Sequence, residues 1–314
     1  MTWHEELTRL VSHPRRRWWW SRSFWIGIGL LLVLLVGVVW VGWPDDRGVE
    51  LASKPAGLSD RASPPPISLG FYPGWVDYSP DQVDYSAWTH IGHFGIYPNP
   101  DGTLRFGDLG REDLTPAVQT AQAAGVKILL VIGSEGTREA FLGATEATNL
   151  GRFVQEIVAL ATEHGYDGID IAWSDEVDRS RFAALIRQLR HTLDATAPHL
   201  LLTFNAVSGL LPADLAAELH QYVDYIHLMS FWSDGADELT TYTAAGVPVG
   251  KLTVGIGLYL DGYHDTTVAR VQSKVDLAQS QGAAGVMVWS FQHLDDGWDD
   301  PRLEPLRAYV SNSR

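Results

Sequence analysis

From Ser68 to the C-terminus, short apolar runs alternate with longer stretches in which apolar residues recur every three or four positions. The short runs predict strands at residues 68–72, 90–97, 127–132, 168–172, 200–204, 225–229, 252–258 and 285–290. The longer stretches predict helices, among them 149–164, 178–197, 215–222 and 267–281. Within 149–164, Phe153, Ile157, Leu160 and Ala161 share one face. Strands that are apolar almost throughout are buried on both sides, as parallel strands under crossover helices are. Eight of them joined by helices predict an α/β fold, a closed (β/α)8 TIM barrel over residues 68–314. An open doubly wound sheet is the alternative. No G-x-G-x-x-G follows the first strand, so a dinucleotide-binding version of that sheet has no support.

The N-terminal part has a different pattern. Residues 24–43, FWIGIGLLLVLLVGVVWVGW, carry no charge and show no polar face. At 1.5 Å per residue this run spans about 30 Å, the hydrocarbon thickness of a bilayer. Trp18, Trp19, Trp20 and Trp25 flank one end, and Trp40 and Trp43 the other, as in an aromatic belt. Arg15, Arg16, Arg17 and Arg22 precede it, while Asp45 and Asp46 follow. The expectation is a single transmembrane anchor, with residues 1–23 as a cytoplasmic tail and the barrel outside the cytoplasm. The run is longer than a signal-peptide core and ends in Trp-Pro instead of small residues, so an uncleaved anchor is expected. Residues 44–67, with Pro44, Pro55 and Pro64-Pro65-Pro66, read as a linker partly stiffened by proline.

Charge narrows the choice of partners. The formal net charge is −15, and residues 1–23 carry five Lys and Arg against two Glu, so the remainder is more acidic still. An acidic body argues against nucleic acid, which needs a basic surface. The chain has no Cys, which excludes disulfides and thiolate metal sites. His90, His93, His227, His264 and His293 form no recognisable ligand spacing. No metal and no cofactor is expected.

Barrel chemistry sits at the C-terminal ends of the strands. The positions of interest are therefore 72–75, Tyr97, 132–135, 172–176, Asn205, 230–232, 259–261 and 289–292. Six segments there and at the strand starts resemble family 18 glycoside hydrolases, the chitinase family. They are Leu69-Gly70-Phe71-Tyr72-Pro73-Gly74-Trp75; Trp88-Thr89-His90-Ile91 with Asn99-Pro100-Asp101-Gly102-Thr103-Leu104; Gly125-Val126-Lys127-Ile128-Leu129-Leu130; Tyr166-Asp167-Gly168-Ile169-Asp170-Ile171; Tyr222-Val223-Asp224-Tyr225-Ile226-His227-Leu228-Met229-Ser230; and Gly285-Val286-Met287-Val288-Trp289-Ser290. They fall in the family's order over residues 69–290.

The resemblance implies hydrolysis of β-1,4-linked N-acetylglucosamine polymers by a substrate-assisted route. In that family a Glu protonates the leaving oxygen and an Asp two residues earlier orients the attacking acetamide, in the pattern D-x-x-D-x-D-x-E. Acids at every second position of a strand face the same side. Here the pattern reads Asp167, Asp170, Ala172, Ser174. The first two acids are kept, while the acetamide orienter and the proton donor are replaced. A general acid typically contributes 10²–10⁴-fold. The family's Met-x-Tyr-Asp becomes Met229-Ser230-Phe231-Trp232, and its Ser-x-Gly-Gly becomes Val131-Ile132-Gly133-Ser134. Trp289 matches the Trp that floors the sugar at the reacting subsite. The family's α+β insertion after the seventh strand is absent, which implies a cleft open on that side. Glu176 and Glu135 are the candidate substitutes for the missing acid. Asp175 points to the opposite face if the strand continues.

The leading expectation is a membrane-anchored chitinase-like protein that binds an envelope glycan, an amino-sugar polymer first, without chitinase activity. Tyr72, Trp75, Phe231, Trp232 and Trp289, together with Trp173, are the rings available to stack on sugar. A hydrolase with a relocated acid and an envelope scaffold that binds another protein are the alternatives.

Overall fold

The structure, a computed structural model, describes residues 66–313 apart from 77, 108, 261–264 and 295–296. The expected tail, the anchor at 24–43 and the linker up to 65 lie outside the described residues, as do Asp261 and His264. Among the described residues no helix is long and apolar enough to cross a membrane.

Eight parallel strands close into a barrel: β1 (Ile67–Pro73), β2 (His90–Pro98), β4 (Lys127–Ile132), β5 (Gly168–Ile171), β6 (Leu201–Ala206), β7 (Tyr225–Leu228), β8 (Leu252–Gly257) and β9 (Gly285–Trp289). Closure is explicit, because β1 pairs in parallel with β2 on one side and with β9 on the other. The open-sheet alternative is therefore excluded. Each expected strand is present within about two residues at its ends. Ile67, read as the end of the linker, is instead the first residue of β1. It is fully buried, its amide donates to the Ala284 carbonyl at 2.8 Å, and it pairs with Gly285.

One strand escaped the apolar pattern. β3 (Leu104–Phe106) returns antiparallel along the end of β2. The turn is built locally: Asp101 Oδ1 accepts from the Thr103 amide and hydroxyl, and Gly102 takes a positive φ of 84°.

Around the barrel pack α1 (Arg111–Ala123), α2 (Arg138–Ala144), α3 (Leu150–His164), α4 (Arg179–Thr196), α5 (Ala213–Leu219), α6 (Ala236–Ala244), α7 (Val268–Gln281) and α8 (Glu304–Ser313). The expected stripe of α3 is the buried one, with Phe153, Ile157, Leu160 and Ala161 all against the core. Gly165 ends that helix in the left-handed region, and Asp178 caps α4 by accepting from the Arg181 amide. The helix expected at 215–222 starts earlier, after Pro212, and tightens at His220–Tyr222 into a 3-10 turn.

Candidate functional site

Alternation along the strands decides what the barrel interior contains. The register sets Asp170 beside Thr203, Asn205 beside His227, and His227 beside Thr253. Asp170 is fully buried, and its carboxylate accepts from Thr203 Oγ1 at 2.5 Å and Asn205 Nδ2 at 2.6 Å. His227 Nε2 stands 3.7 Å from Asp170 Oδ1, while its Nδ1 shares a hydrogen bond with Thr253 Oγ1 at 3.0 Å. Burial pushes the Asp170 carboxyl up to about 6, against the pull of its two hydrogen bonds. Burial, and after it the nearby His90, holds His227 down to about 3. The imidazole is therefore neutral near pH 7, and its contact with Asp170 is not an ion pair.

Asp167 sits at the other end of β5. Its Oδ2 accepts from the Ile128 amide at 2.9 Å and from Gln122 Nε2 at 3.2 Å, tying the starts of β4 and β5 together. Asp224 repeats the device one pair of strands on, accepting from the Leu202 amide. Both retained acids of the family pattern are thus strand fasteners: Asp167 at the base, Asp170 inside the wall.

Beyond Ile171 the strand ends, and the chain passes through Ala172 and Ser174. Ser174 is almost buried, and its hydroxyl faces Met229 Sδ at 3.8 Å. Among the described residues, no hydrogen bond or ion pair joins Ser174 to a carboxylate. The strand ends carry rings. Trp289 packs against Phe94, with centroids at 5.1 Å, and against Phe71 at 5.6 Å. Trp75 meets Phe94 edge-on at 5.5 Å, and its indole N–H donates to Gln292 Oε1. Trp232 stacks on Tyr259 at 5.7 Å with the planes 8° apart, and His293 meets Tyr259 at 4.9 Å.

A buried pair fixes this rim. Arg302 binds Asp300 and reaches the carbonyls of Leu258, after β8, at 3.2 Å and His293, after β9, at 2.6 Å. Burial opposes ionisation of Asp300, but its bonds to Arg302 outweigh that and leave its carboxyl below the usual range.

The carboxylates near the mouth gather on one flank. Glu135 lies half-buried in the loop after β4, and Glu176 is exposed in the loop after β5. Asp175 bridges the two loops by accepting from the Gly136 amide at 3.1 Å, and its other oxygen is buried without a hydrogen-bond partner. Arg138 donates to the Glu176 carbonyl. Gly133 lets these loops close: a Cβ there would stand 2.7 Å from the Ala172 carbonyl oxygen.

The residues expected to hold sugar separate into two groups. Trp75, Trp232 and Trp289 are partly exposed at the strand ends. Tyr72 is buried on the outer side of β1, between His93 at 5.5 Å and Tyr78 at 5.9 Å, with its hydroxyl given to the Tyr78 carbonyl. It packs the barrel instead of lining the mouth, because it alternates with the inward Phe71. Trp173 belongs to the core as well, stacked on Phe141 at 4.6 Å. Phe231 is buried beneath Trp232 and Tyr259, so it supports the rim from below. Phe71 and Phe94, which are not among the rings expected to hold sugar, carry Trp289. Strand parity held the signal, since Phe94 lies four residues after inward His90. The Arg302–Asp300 brace has no sequence signal of that kind.

A closed barrel of eight parallel strands with partly exposed rings at their C-terminal ends defines the class, a TIM barrel. The chain belongs to the glycosyl hydrolases family 18, whose family model matches residues 67–270. It is 25% identical over 251 residues to the class V chitinase CHIT5 of Lotus japonicus, covering 63% of this chain and 61% of that one. It is 30% identical over 246 residues to probable chitinase 2 of Drosophila melanogaster, covering 68% of this chain and 48% of that one. The chain thus spans about half to three fifths of the length of these relatives. The fold is shared with a chitinase from Bacteroides thetaiotaomicron, at TM-score 0.67 and 18% identity over 79% of this chain and 97% of that one. It is shared equally with a class V chitinase from Nicotiana tobaccum in complex with NAG4, at TM-score 0.66 and 17% identity over 79% and 98%. A chitinase-like agglutinin from Robinia pseudoacacia matches at TM-score 0.65 and 18% identity, over 79% and 99%.

Proposed function

We propose that this chain is a family 18 barrel that binds an amino-sugar glycan at its C-terminal mouth without cleaving it. The carrying observation is Ser174. It occupies the proton donor's place in the family pattern, and its hydroxyl faces a methionine sulfur at 3.8 Å. A serine hydroxyl supplies no proton at physiological pH, and Ala172 supplies no charge to orient an acetamide. The rings of Trp75, Trp232 and Trp289 need no acid to stack on a pyranose, since the sugar's C–H face packs on an aromatic face. That one neighbour of this fold is named as an agglutinin and another holds NAG4 supports a binding role for such a mouth. Residues 24–43 anchor the chain in a membrane with the barrel outside the cytoplasm, and residues after Trp43 tether it. This topology rests on the apolar run and its flanking arginines.

Titration of the full chain with N-acetylglucosamine oligomers by calorimetry tests the mouth. Saturable binding is expected, weakened at least tenfold by Trp289→Ala, which is about 1.4 kcal/mol. Absence of binding to any amino-sugar polymer, peptidoglycan fragments included, would end this reading. A second reading, hydrolysis by a relocated acid, draws on the flank where Glu135, Asp175 and Glu176 meet. It requires turnover of a chromogenic N-acetylglucosamine oligomer that Glu135→Gln or Glu176→Gln abolishes.

A further inference from the structure

A cavity of about 550 Å³, open to solvent, lies between the loop that leads into α6 and the first three turns of α7. That volume is within the range of small-molecule sites, about 300–1,000 Å³. Its lining includes Trp232, Asp234, Arg270, Ser273 and Lys274. Tyr259 covers one face of the Trp232 ring, and what remains of that ring borders the cavity.

The polar groups are held in place before any ligand arrives. Lys274 is 2% exposed, and its ammonium donates to the carbonyls of Ser230 at 2.5 Å and Gly255 at 2.6 Å. Two of its three N–H groups are thereby committed and its position is fixed. Arg270 donates through one nitrogen to the Ser233 carbonyl at 3.2 Å, which leaves the rest of its fork. Asp234 accepts from the Ala236 amide through Oδ1, which leaves its second oxygen. The Ser273 side chain is exposed on the same wall.

Charge selects the ligand class. Arg270 carries a full charge and Lys274, which burial and then Arg270 bring down to about 7, a partial one; both face Asp234 in the cavity and Glu238 beside it, bonded to Ser233. A net anion meets the two carboxylates and a net cation meets the two bases. A neutral polyol satisfies both, because each hydroxyl donates to carboxylate and accepts from guanidinium or ammonium. An indole edge beside paired donors and acceptors suits a pyranose ring.

We propose that this cavity is a second sugar site for one uncharged pyranose unit, bordering the mouth at Trp232 but not including Trp289. It borrows from the proposed function only the choice of N-acetylglucosamine as first probe, with glucose as the second.

The test is calorimetry and saturation-transfer NMR on the full chain with those two monosaccharides, each repeated on Ser273→Trp, Arg270→Gln and Trp289→Ala. Ser273→Trp fills the cavity from its exposed wall, and Arg270→Gln removes the charged fork without adding bulk. Both are expected to weaken one monosaccharide event at least tenfold while leaving binding lost in Trp289→Ala intact. Unchanged binding in both cavity variants would overturn the second site and leave the mouth reading standing. Loss in the cavity variants with none in Trp289→Ala would do the reverse. If neither monosaccharide binds, or if only glucuronate or glucosamine depends on Ser273 and Arg270, the uncharged-pyranose proposal fails. Far-UV circular dichroism identifies a variant that has not folded, and the other variant then decides.

Discussion

The barrel wall and the barrel mouth are built on opposite principles. In the wall, Asp170, Thr203, Asn205, His227 and Thr253 come from four successive strands and are linked by buried hydrogen bonds, with Asn205 Oδ1 and His227 Nε2 left without a hydrogen-bond partner. At the mouth, Trp75, Phe71, Phe94, Trp289, Trp232 and Tyr259 meet ring to ring, and Ser174 looks at a methionine. On the reading proposed above, acids of the family pattern persist where they fasten strands, at Asp167 and Asp170, and are replaced at Ala172 and Ser174. The difference teaches that a fold retains its polar interior for structural reasons that do not depend on catalysis.

The comparison is broken hardest at a buried charged pair that serves the mouth. Arg302 and Asp300 are both buried and hold the loops after β8 and β9 through two carbonyls. Removing one partner of such a pair typically costs 3–5 kcal/mol, because the other charge is left buried and alone. Arg302→Ala is expected to lose about that much in denaturant unfolding, and Arg302→Ala with Asp300→Ala to lose less than the sum of the single changes. A loss under about 1 kcal/mol for Arg302→Ala would mean that the rim holds its shape without the brace.

The wall carries a buried carboxyl whose titration is coupled to folding. Burial raises the folded-state carboxyl of Asp170 to about 6 from an ordinary value of 3.8. As pH rises from about 4 to 6, the unfolded chain gives up this proton first, so Asp170 costs the native state stability across that window. The penalty is absent at low pH and complete above pH 6. At 1.36 kcal/mol per unit it amounts to up to about 3 kcal/mol. Asp170→Asn removes it, and Asn205, whose Oδ1 has no hydrogen-bond partner, can turn that oxygen to the new amide. The variant is expected to gain stability over the parent at pH 7.5 and none at pH 4, measured by urea unfolding at both. An equal difference at both values would place the effect in packing instead of charge.

The wall was more legible in the sequence than the mouth. Lys127–Ile132 is buried at every residue after the exposed Lys127, and Leu252–Gly257 is buried from end to end, so hydrophobicity alone locates the strands. Their number, eight, with helices between them, points to closure, and the order of the family-like segments supports it a second way. What failed was finer than the period. Tyr72 and Phe71 are adjacent aromatics, and only the phase of β1 decides which faces inward; Phe71 does. Trp173 follows the end of β5, where alternation stops being a guide, and it turns into the layer under α2 and α4 to stack on Phe141. The hairpin strand β3 is three residues long, too short for any period. The Arg302–Asp300 brace joins residues near the C-terminus to carbonyls of two distant loops, a contact that no local pattern encodes.

The smallest expected effect separates the carboxylates of the flank from each other. Glu176 is exposed, and only its backbone carbonyl is engaged, by Arg138. Surface substitutions of this kind usually stay within about 0.5 kcal/mol. Asp175, one residue earlier, accepts from the Gly136 amide and buries its second oxygen, so it ties the loop after β4 to the loop after β5. A hydrogen bond to a charged group is worth about 1.5–3 kcal/mol when lost outright, and Asn retains part of it through its own carbonyl oxygen. Asp175→Asn is therefore expected to cost about 1 kcal/mol in unfolding free energy and Glu176→Gln nothing measurable, with oligosaccharide affinity at the mouth unchanged in both. If Glu176→Gln instead weakened the oligomer tenfold or more, the exposed acid would be reaching over the Trp289 rings when sugar is bound. The mouth would then hold a carboxylate after all, and the division between a polar wall and an aromatic mouth would not survive ligand binding.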